Sequence, residues 1–458
     1  MLRRWREAIG QSRPWRWLRQ AWLGLTAGSW WFAALRVGIV VAALGLGALL
    51  FVSAGLVPIA ASQGHWPITR VLLHFAMIRS VQTHALGVKR PAPADRPLDA
   101  RAMVLKGAGH YASGCLPCHG APGHPRAEVV RHIVPEPPYL PPKIDQWSDD
   151  QLFWIVKHGI KYTAMPAWPS QQRDDEVWAM VAFLRQLPEL QPARFRQLAY
   201  GDSAAVAPEG ADLTRFDTAV GGVDLTSVPV GAGGERERVV EPALALRVAD
   251  CSRCHGRGGD TGAFPRLAGQ NKAYLLASLQ AYARGERHSG VMEPVAVALG
   301  AGEMRALAGY YAALPLRNTG AGDGSRGSIA AEAAPTKAGV SGIGDASKAS
   351  GNMGSIERGE RLARRGDAAL RIPSCVECHG PGRGARNPLY PRLAGQHPDY
   401  LALQLQLFKQ GRRGGTAYSH IMETIAGSLE DADIDDLAAW YGSLPPTPGT
   451  AAPAPAAD

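Results

Sequence analysis

The 458-residue chain has no cysteine outside three C-x-x-C pairs, no charge between residues 37 and 61, and almost no surplus charge beyond residue 36. The formal charge of +9 looks like a nucleic-acid signal until it is located. Arg3, Arg4, Arg6, Arg13, Arg16, Arg19 and Arg36 against a single glutamate place +6 in the first 36 residues, leaving +3 for the other 422. That excludes the basic footprint of a DNA- or RNA-binding protein. A hydrophobic fraction of 46% excludes wholesale disorder. Gly 53 and Pro 35 form about a fifth of the chain, which promises loops and linkers. The length allows about three domains.

All six cysteines fall in one pattern: Cys115-Leu-Pro-Cys118-His119, Cys251-Ser-Arg-Cys254-His255 and Cys375-Val-Glu-Cys378-His379. At this chain's Cys and His frequencies, C-x-x-C-H arises by chance about 0.002 times. Two thiols three positions apart can both add to the vinyl groups on one edge of a haem, and the adjacent histidine can ligate the iron. A disulfide framework would not place a histidine after every second cysteine. A zinc site would need pairs closing around one metal. Three covalently bound haem c groups are therefore expected. Haem c is attached outside the bacterial cytoplasm, so the haem domains belong in the periplasm.

The uncharged stretch Val37–Ala61 is 25 residues long. A helix of that length, at 1.5 Å per residue, exceeds the ~30 Å hydrocarbon layer. The seven arginines upstream stay cytoplasmic under the positive-inside rule, and six of twelve tryptophans share their segment, as at a lipid interface. Signal-peptide apolar regions run only ~7–15 residues, so an uncleaved anchor is expected rather than a signal peptide. The location is then a bacterial inner membrane, crossed once. Ile68, Val71, Leu72, Phe75 and Ile78 predict an amphipathic helix within 65–90, lying on the membrane or a partner. His65, His74 and His84 are irregularly spaced, which weighs against a metal site there.

Three units follow, each closing in an amphipathic helix with a Leu-Pro stop: Asp174–Leu187, Gly302–Leu314 and Asp431–Leu444. Units two and three are internal repeats, because Pro265-Arg-Leu-Ala-Gly-Gln270 recurs as Pro391-Arg-Leu-Ala-Gly-Gln396, with Tyr274 and Tyr400 at matching offsets. Unit one lacks that string and carries a proline-rich loop at Val134–Pro142. The expected layout is a cytoplasmic Arg/Trp-rich segment (1–36), a transmembrane helix (37–61) and a juxtamembrane segment (62–97). Domain 1 covers 98–190, a linker 191–240 and domain 2 241–317. A flexible linker covers 318–355, domain 3 356–446 and a disordered tail 447–458. In the 191–240 stretch only Phe195, Phe216 and Val223 offer something to pack. The fold is expected to be mainly α.

The sixth iron position decides between carrier and catalyst, since a methionine closes it and an open site binds small molecules. Each unit offers one candidate before its closing helix: Met165, 46 residues after His119; Met292, 37 after His255; and Met422, 43 after His379. Met180 and Met304 lie inside the closing helices, where they would fill the core. The axial pairs are then His119 with Met165, His255 with Met292 and His379 with Met422, the methionines crossing in loops.

The order C-x-x-C-H, loop, Met, short helix resembles class I c-type cytochromes throughout 98–446. Units two and three resemble the two-domain dihaem cytochromes of the c-four type. The anchor, the additional N-terminal haem unit and the long linker between repeats depart from that pattern. The resemblance implies that the carbonyls of Pro265 and Pro391 accept the axial histidine N–H, and that Arg266 and Arg392 lie near propionates. With the apolar N-terminal run, the three motifs and a methionine in each unit, the reading is a membrane-anchored trihaem electron carrier rather than an enzyme. Its partners would be a quinol-oxidising complex or dehydrogenase upstream and a terminal oxidase or soluble cytochrome downstream. The alternatives are the haem c subunit of a membrane dehydrogenase complex and, further off, an enzyme resembling dihaem peroxidases. A gas sensor would need an output domain that is not recognisable here.

Overall fold

The computed structural model describes residues 30–89 except 58, 61 and 62, residues 98–200 except 99, and residues 242–256, 264–316, 345–381 and 387–446. Among these residues the secondary structure is helical, with two isolated bridges, Ala121 to His124 and Asp367 to Ile372. Two units separate, residues 1–65 and residues 66–458.

The first unit contributes helix α1, Trp30–Ser53, of which Phe32–Ser53 is long and apolar enough to cross a membrane. The apolar run expected over 37–61 outlasts this helix. Gly55 takes a left-handed φ of 70° just past its end, and the helix begins at Trp30 instead. The expected cytoplasmic segment lies, up to residue 29, outside the described residues.

The second unit opens with α2, Pro67–Ala85, started by a proline whose missing N–H needs no partner there. Its last turns bury Val81 and Ala85, and His84 stacks on Trp154 with centroids 5.5 Å apart. Its first turns leave Ile68, Val71, Leu72 and Phe75 exposed.

Within the second unit, the stretches expected as the three haem domains are called domains 1, 2 and 3; the first holds α3 (Arg101–His110), α4 (Asp149–His158), α5 (Asp174–Gln186) and α6 (Pro192–Tyr200). A π turn at Tyr111–Cys115 and a single turn at Leu116–His119 join α3 to the first haem motif. Ser148 and Gln151 form a capping box at the start of α4. Asp174, Asp175 and Glu176 fill the first turn of α5, where the helix dipole favours acids. Helix α3 crosses α5 at Gly107, where a Cβ would sit 2.2 Å from the Ala179 carbonyl oxygen. The core gathers Tyr111, Leu116, Phe153, Trp178, Phe183 and Phe195. The linker expected from 191 therefore starts too early. Phe195, Ala199 and Tyr200 of α6 are buried in domain 1, because the three recur on one face of a short helix otherwise rich in Arg and Gln. Phe216 and Val223 lie outside the described residues.

Domain 2 holds α7 (Pro242–His255), α8 (Lys272–Ala283), α9 (Met292–Val297) and α10 (Ala301–Ala313). Val248, Leu275, Leu307, Ala308 and Tyr311 form its small core. Domain 3 holds α11 (Asp345–Arg365), a single turn at Cys375–His379, α12 (Pro398–Lys409), α13 (Ser419–Gly427) and α14 (Asp431–Ser443). Helix α11 crosses α14 at Gly359, where a Cβ would lie 2.0 Å from the Asp436 carbonyl oxygen. Helix α11 already begins at Asp345 and takes up the last eleven residues of the expected 318–355 linker. The rest of that linker up to 344, and the tail from 447, lie outside the described residues.

The repeats dock on each other. Gln396 Oε1 accepts the Arg266 N–H at 2.8 Å and its Nε2 donates to the Arg266 carbonyl at 3.1 Å. Gln270 repeats this on Arg392 at 2.9 and 3.1 Å. The PRLAGQ string of each domain thus reads the backbone of the other's. Domain 1 meets domain 2 elsewhere: Arg253 lies 5.0 Å over the Tyr200 ring, and Arg173 Nη1 donates to the His288 carbonyl at 2.8 Å.

Candidate functional site

Each C-x-x-C-H motif ends a helical turn and is followed by a glycine with left-handed φ: Gly120 at 65°, Gly256 at 73° and Gly380 at 74°. Each of these glycines donates its N–H back into the motif, to Leu116, Ser252 and Val376. A side chain would be strained there, so glycine lets the chain double back under the histidine.

The returning loop supplies the same partner three times. His119 Nδ1 lies 2.9 Å from the Pro138 carbonyl oxygen, His255 Nδ1 3.1 Å from that of Pro265, and His379 Nδ1 2.8 Å from that of Pro391. A carbonyl only accepts, so each Nδ1 carries the proton and each Nε2 lone pair is the one suited to iron. Pro138 in domain 1 was not singled out in the sequence, because it follows its histidine by 19 residues rather than 10 or 12. The proline-rich loop Val134–Pro142 was the available signal. Burial holds His119 and His255 below the usual imidazole pKa, which favours the neutral ligand form.

None of the six cysteines forms a disulfide. Burial pushes the thiols of Cys115 and Cys251 up to about 12 and that of Cys375 to about 11. Metal thiolates need the opposite shift, and no group of three or more Cys, His, Asp or Glu suited to a metal ion occurs among the described residues. Protonated, buried thiols beside an oriented imidazole fit thioether attachment of a porphyrin.

Met165 lies in the loop between α4 and α5, with Thr163 Oγ1 accepting its N–H at 3.1 Å. Met292 and Met422 do not lie in loops as expected. Met292 opens α9, its N–H bonded to Ser289 Oγ at 3.0 Å, and Met422 lies within α13. Short helices form at these positions because Ser289 caps the first, and because Ile421, Met422, Ile425 and Ala426 have helical spacing in the second. All three methionines are half-buried, whereas Met180 and Met304 are buried in the closing helices.

The charged groups expected near propionates have further partners. Arg392 Nε donates to Asn271 Oδ1 across the repeat interface at 2.9 Å. Arg287 and Arg413, at equal offsets in the two repeats, cross over. Arg287 Nη2 lies 3.4 Å from Tyr400 Oη, and Arg413 Nη2 donates to Tyr274 Oη at 3.0 Å. Burial alone would raise the Tyr274 hydroxyl, but Arg287 and Arg413 outweigh it and pull it down to about 7. Neither guanidinium has a carboxylate partner among the described residues, which fits a site that takes anionic propionates. The sequence had shown the tyrosines as a repeated feature but not the interface, and the matching Arg287 and Arg413, each 22 residues after the PRLAGQ proline, were not singled out.

Comparison with known proteins agrees with this chemistry. The family described as cytochrome C oxidase, cbb3-type, subunit III matches residues 102–184, and the cytochrome c family matches residues 356–445. The thiosulfate dehydrogenase electron acceptor of Thiomonas intermedia (strain K12) is 33% identical over 215 residues, 46% of this chain and 86% of the relative. Cytochrome c4 of Azotobacter vinelandii is 32% identical over 205 residues, 43% of this chain and 86% of the relative. A solved cytochrome c4 of Acidithiobacillus ferrooxidans shares 34% identity at a TM-score of 0.32, covering 43% of this chain and 99% of that one. Motif, helical fold and relatives converge, and the chain belongs to the c4-like class I c-type cytochromes, electron-transfer proteins carrying covalent haem c.

Proposed function

We propose that this protein is a membrane-anchored trihaem cytochrome that carries single electrons along the periplasmic face of a bacterial inner membrane. The observation that carries the reading is the threefold recurrence of C-x-x-C-H, each with its histidine Nδ1 on a proline carbonyl. Haem iron supplies the one-electron couple when bound. The chain holds each imidazole in one tautomer, offers a methionine at each sixth position, and excludes water with the surrounding core. Haem content measured as alkaline pyridine haemochrome per chain tests the count. Three per chain is expected, and two would overturn the trihaem reading.

The axial sets proposed are His119 with Met165, His255 with Met292 and His379 with Met422. Six-coordinate haems of this kind favour a carrier over a peroxidase, because peroxide finds no place to bind. Anchoring rests on α1, whose Phe32–Ser53 stretch suits a bilayer span. N-terminal sequencing of the membrane-extracted protein should return the Arg/Trp-rich start, and a mature start near residue 62 would sink the anchor.

The donor we favour is a periplasmic dehydrogenase, because two relatives are named thiosulfate dehydrogenase electron acceptors. The same observation supports a second reading, in which the chain is the haem c subunit of such a complex. Copurification from detergent-solubilised membranes separates the two. A stoichiometric catalytic subunit supports the second reading, and its absence supports a free carrier.

A further inference from the structure

The carboxylate of Glu176, in the first turn of α5, makes more contacts across a domain boundary than its place on a helix requires. Its side chain is only 11% exposed. Oε2 accepts Trp168 Nε1–H at 3.2 Å within domain 1 and the Gly290 N–H of domain 2 at 2.6 Å. Oε1 accepts the Ser289 hydroxyl at 2.7 Å and lies 3.0 Å from Arg173 Nη1. Trp168 is three residues after Met165. Ser289 and Gly290 are three and two residues before Met292.

The contacts continue to both methionines. Ser289 Oγ, after donating to Glu176, accepts the N–H groups of Val291 and Met292 at 3.3 and 3.0 Å. Val291 packs against the core of domain 1. Gly290 lies flush on the Trp168 indole, where a Cβ would stand 2.1 Å from Nε1. On the other side, the backbone of Trp168 donates to the Lys157 carbonyl at 3.0 Å, and the Met165 carbonyl accepts Ile160 N–H at 3.3 Å, closing the loop that presents Met165. One carboxylate therefore ties down the segment of Met165 and the turn of Met292 together.

We propose that Glu176 is a positioning residue shared by two haem sites, setting the approach of the Met165 and Met292 sulfurs through Trp168 and Ser289. The proposal rests on the reading of those methionines as axial ligands. Removing the carboxylate leaves an indole N–H, a hydroxyl and an amide N–H at a buried boundary without their acceptor. Such groups relieve themselves by moving toward water, and here movement displaces both segments. Met422 stands on α13 of domain 3, whose described residues make no hydrogen bond to this carboxylate, and serves as an internal control.

The test uses the full-length holoprotein in detergent. Two readouts report methionine ligation: the charge-transfer absorption from methionine sulfur to ferric iron, and carbon monoxide binding by the ferrous protein. Met165→Ala and Met292→Ala provide references, each expected to open one haem. Glu176→Ala should lose the share of the band that belongs to two of the three haems and gain carbon monoxide binding at those two. Trp168→Phe should affect only the first, and Ser289→Ala only the second. Glu176→Gln, which keeps the size and one acceptor oxygen, should show a partial loss of both, and decides the matter if the alanine variant does not fold. Both methionine variants opening a haem while Glu176→Ala and Glu176→Gln leave all three bands intact overturns the positioning role and spares the ligand reading. An equal loss at all three haems also overturns it, as general loosening. Methionine variants that open no haem overturn the ligand reading and the proposal with it.

Discussion

Single side chains carry testable consequences at Met165, the axial ligand we propose for the first motif, and at His110. If Met165 is the axial ligand we propose, Met165→Ala should let one further haem bind carbon monoxide and lower its potential, because a sulfur ligand raises the potential. Redox titration and carbon monoxide spectra of the wild type and variant check this. His110 ends α3, its ring 4.5 Å from that of Trp168, and its Nδ1 has no hydrogen-bond partner among the described residues. Burial lowers its pKa to about 4. The folded protein thus keeps His110 neutral while the unfolded chain takes up a proton near 6.5. Stability contributed by the neutral ring is complete above about pH 6.5, falls as the pH drops toward about 4, and changes no further below that. A shift of this size is worth up to ~3 kcal/mol. His124 and His158 are lowered by burial as well and act in the same direction. The thermal midpoint of the holoprotein should therefore fall between neutrality and pH 4.5, and His110→Phe, which removes the proton site but keeps a ring against Trp168, should flatten part of that fall.

At the scale of elements, two glycines decide how the domains close. Gly107 and Gly359 each sit where an N-terminal helix crosses the closing helix, touching backbone rather than flexible side chains. Gly107→Ala and Gly359→Ala should each cost ~1–3 kcal/mol by overpacking, read as a lower unfolding midpoint. Gly302→Ala, with nothing within 4 Å in the first turn of α10, should be neutral or gain up to ~1 kcal/mol. The closing helices were legible in the sequence to within a residue, because acidic starts and Leu-Pro stops bracket them. Helix α6 was not, since its contribution to the core comes from Phe195, Ala199 and Tyr200 among Arg and Gln. The apolar helix was expected too far toward the C-terminus because hydropathy ignores Gly55, which follows the end of the helix while the apolar run continues. The histidine–proline hydrogen bond was legible in the repeats through PRLAGQ, but domain 1 reaches the same geometry with Pro138 on a longer loop. Nothing in the sequence singled out Glu176 or Arg173, and only the neighbouring domain reveals what they hold.

For the whole molecule, the reciprocal contacts of Gln270 and Gln396 join domains 2 and 3. Each side chain makes two hydrogen bonds to the opposite backbone, worth about 1 kcal/mol apiece. The double variant Gln270→Ala, Gln396→Ala should keep its full haem content yet separate the repeats, seen as a larger radius of gyration in small-angle scattering. Unchanged scattering would show that the Arg–Tyr crossing and the Asn271 bonds to Arg392 and Tyr390 suffice.

That exchange of glutamines also limits how the chain can grow. A contact in which two like surfaces each serve as donor and acceptor for the other is closed once both are present. A third copy of the PRLAGQ domain would find no unused face of that kind. Domain 1 lacks the string and meets domain 2 through Glu176, Ser289 and Gly290 instead. Duplication supplies a pair and then stops, so a chain of this type lengthens only by recruiting a domain that brings a different face.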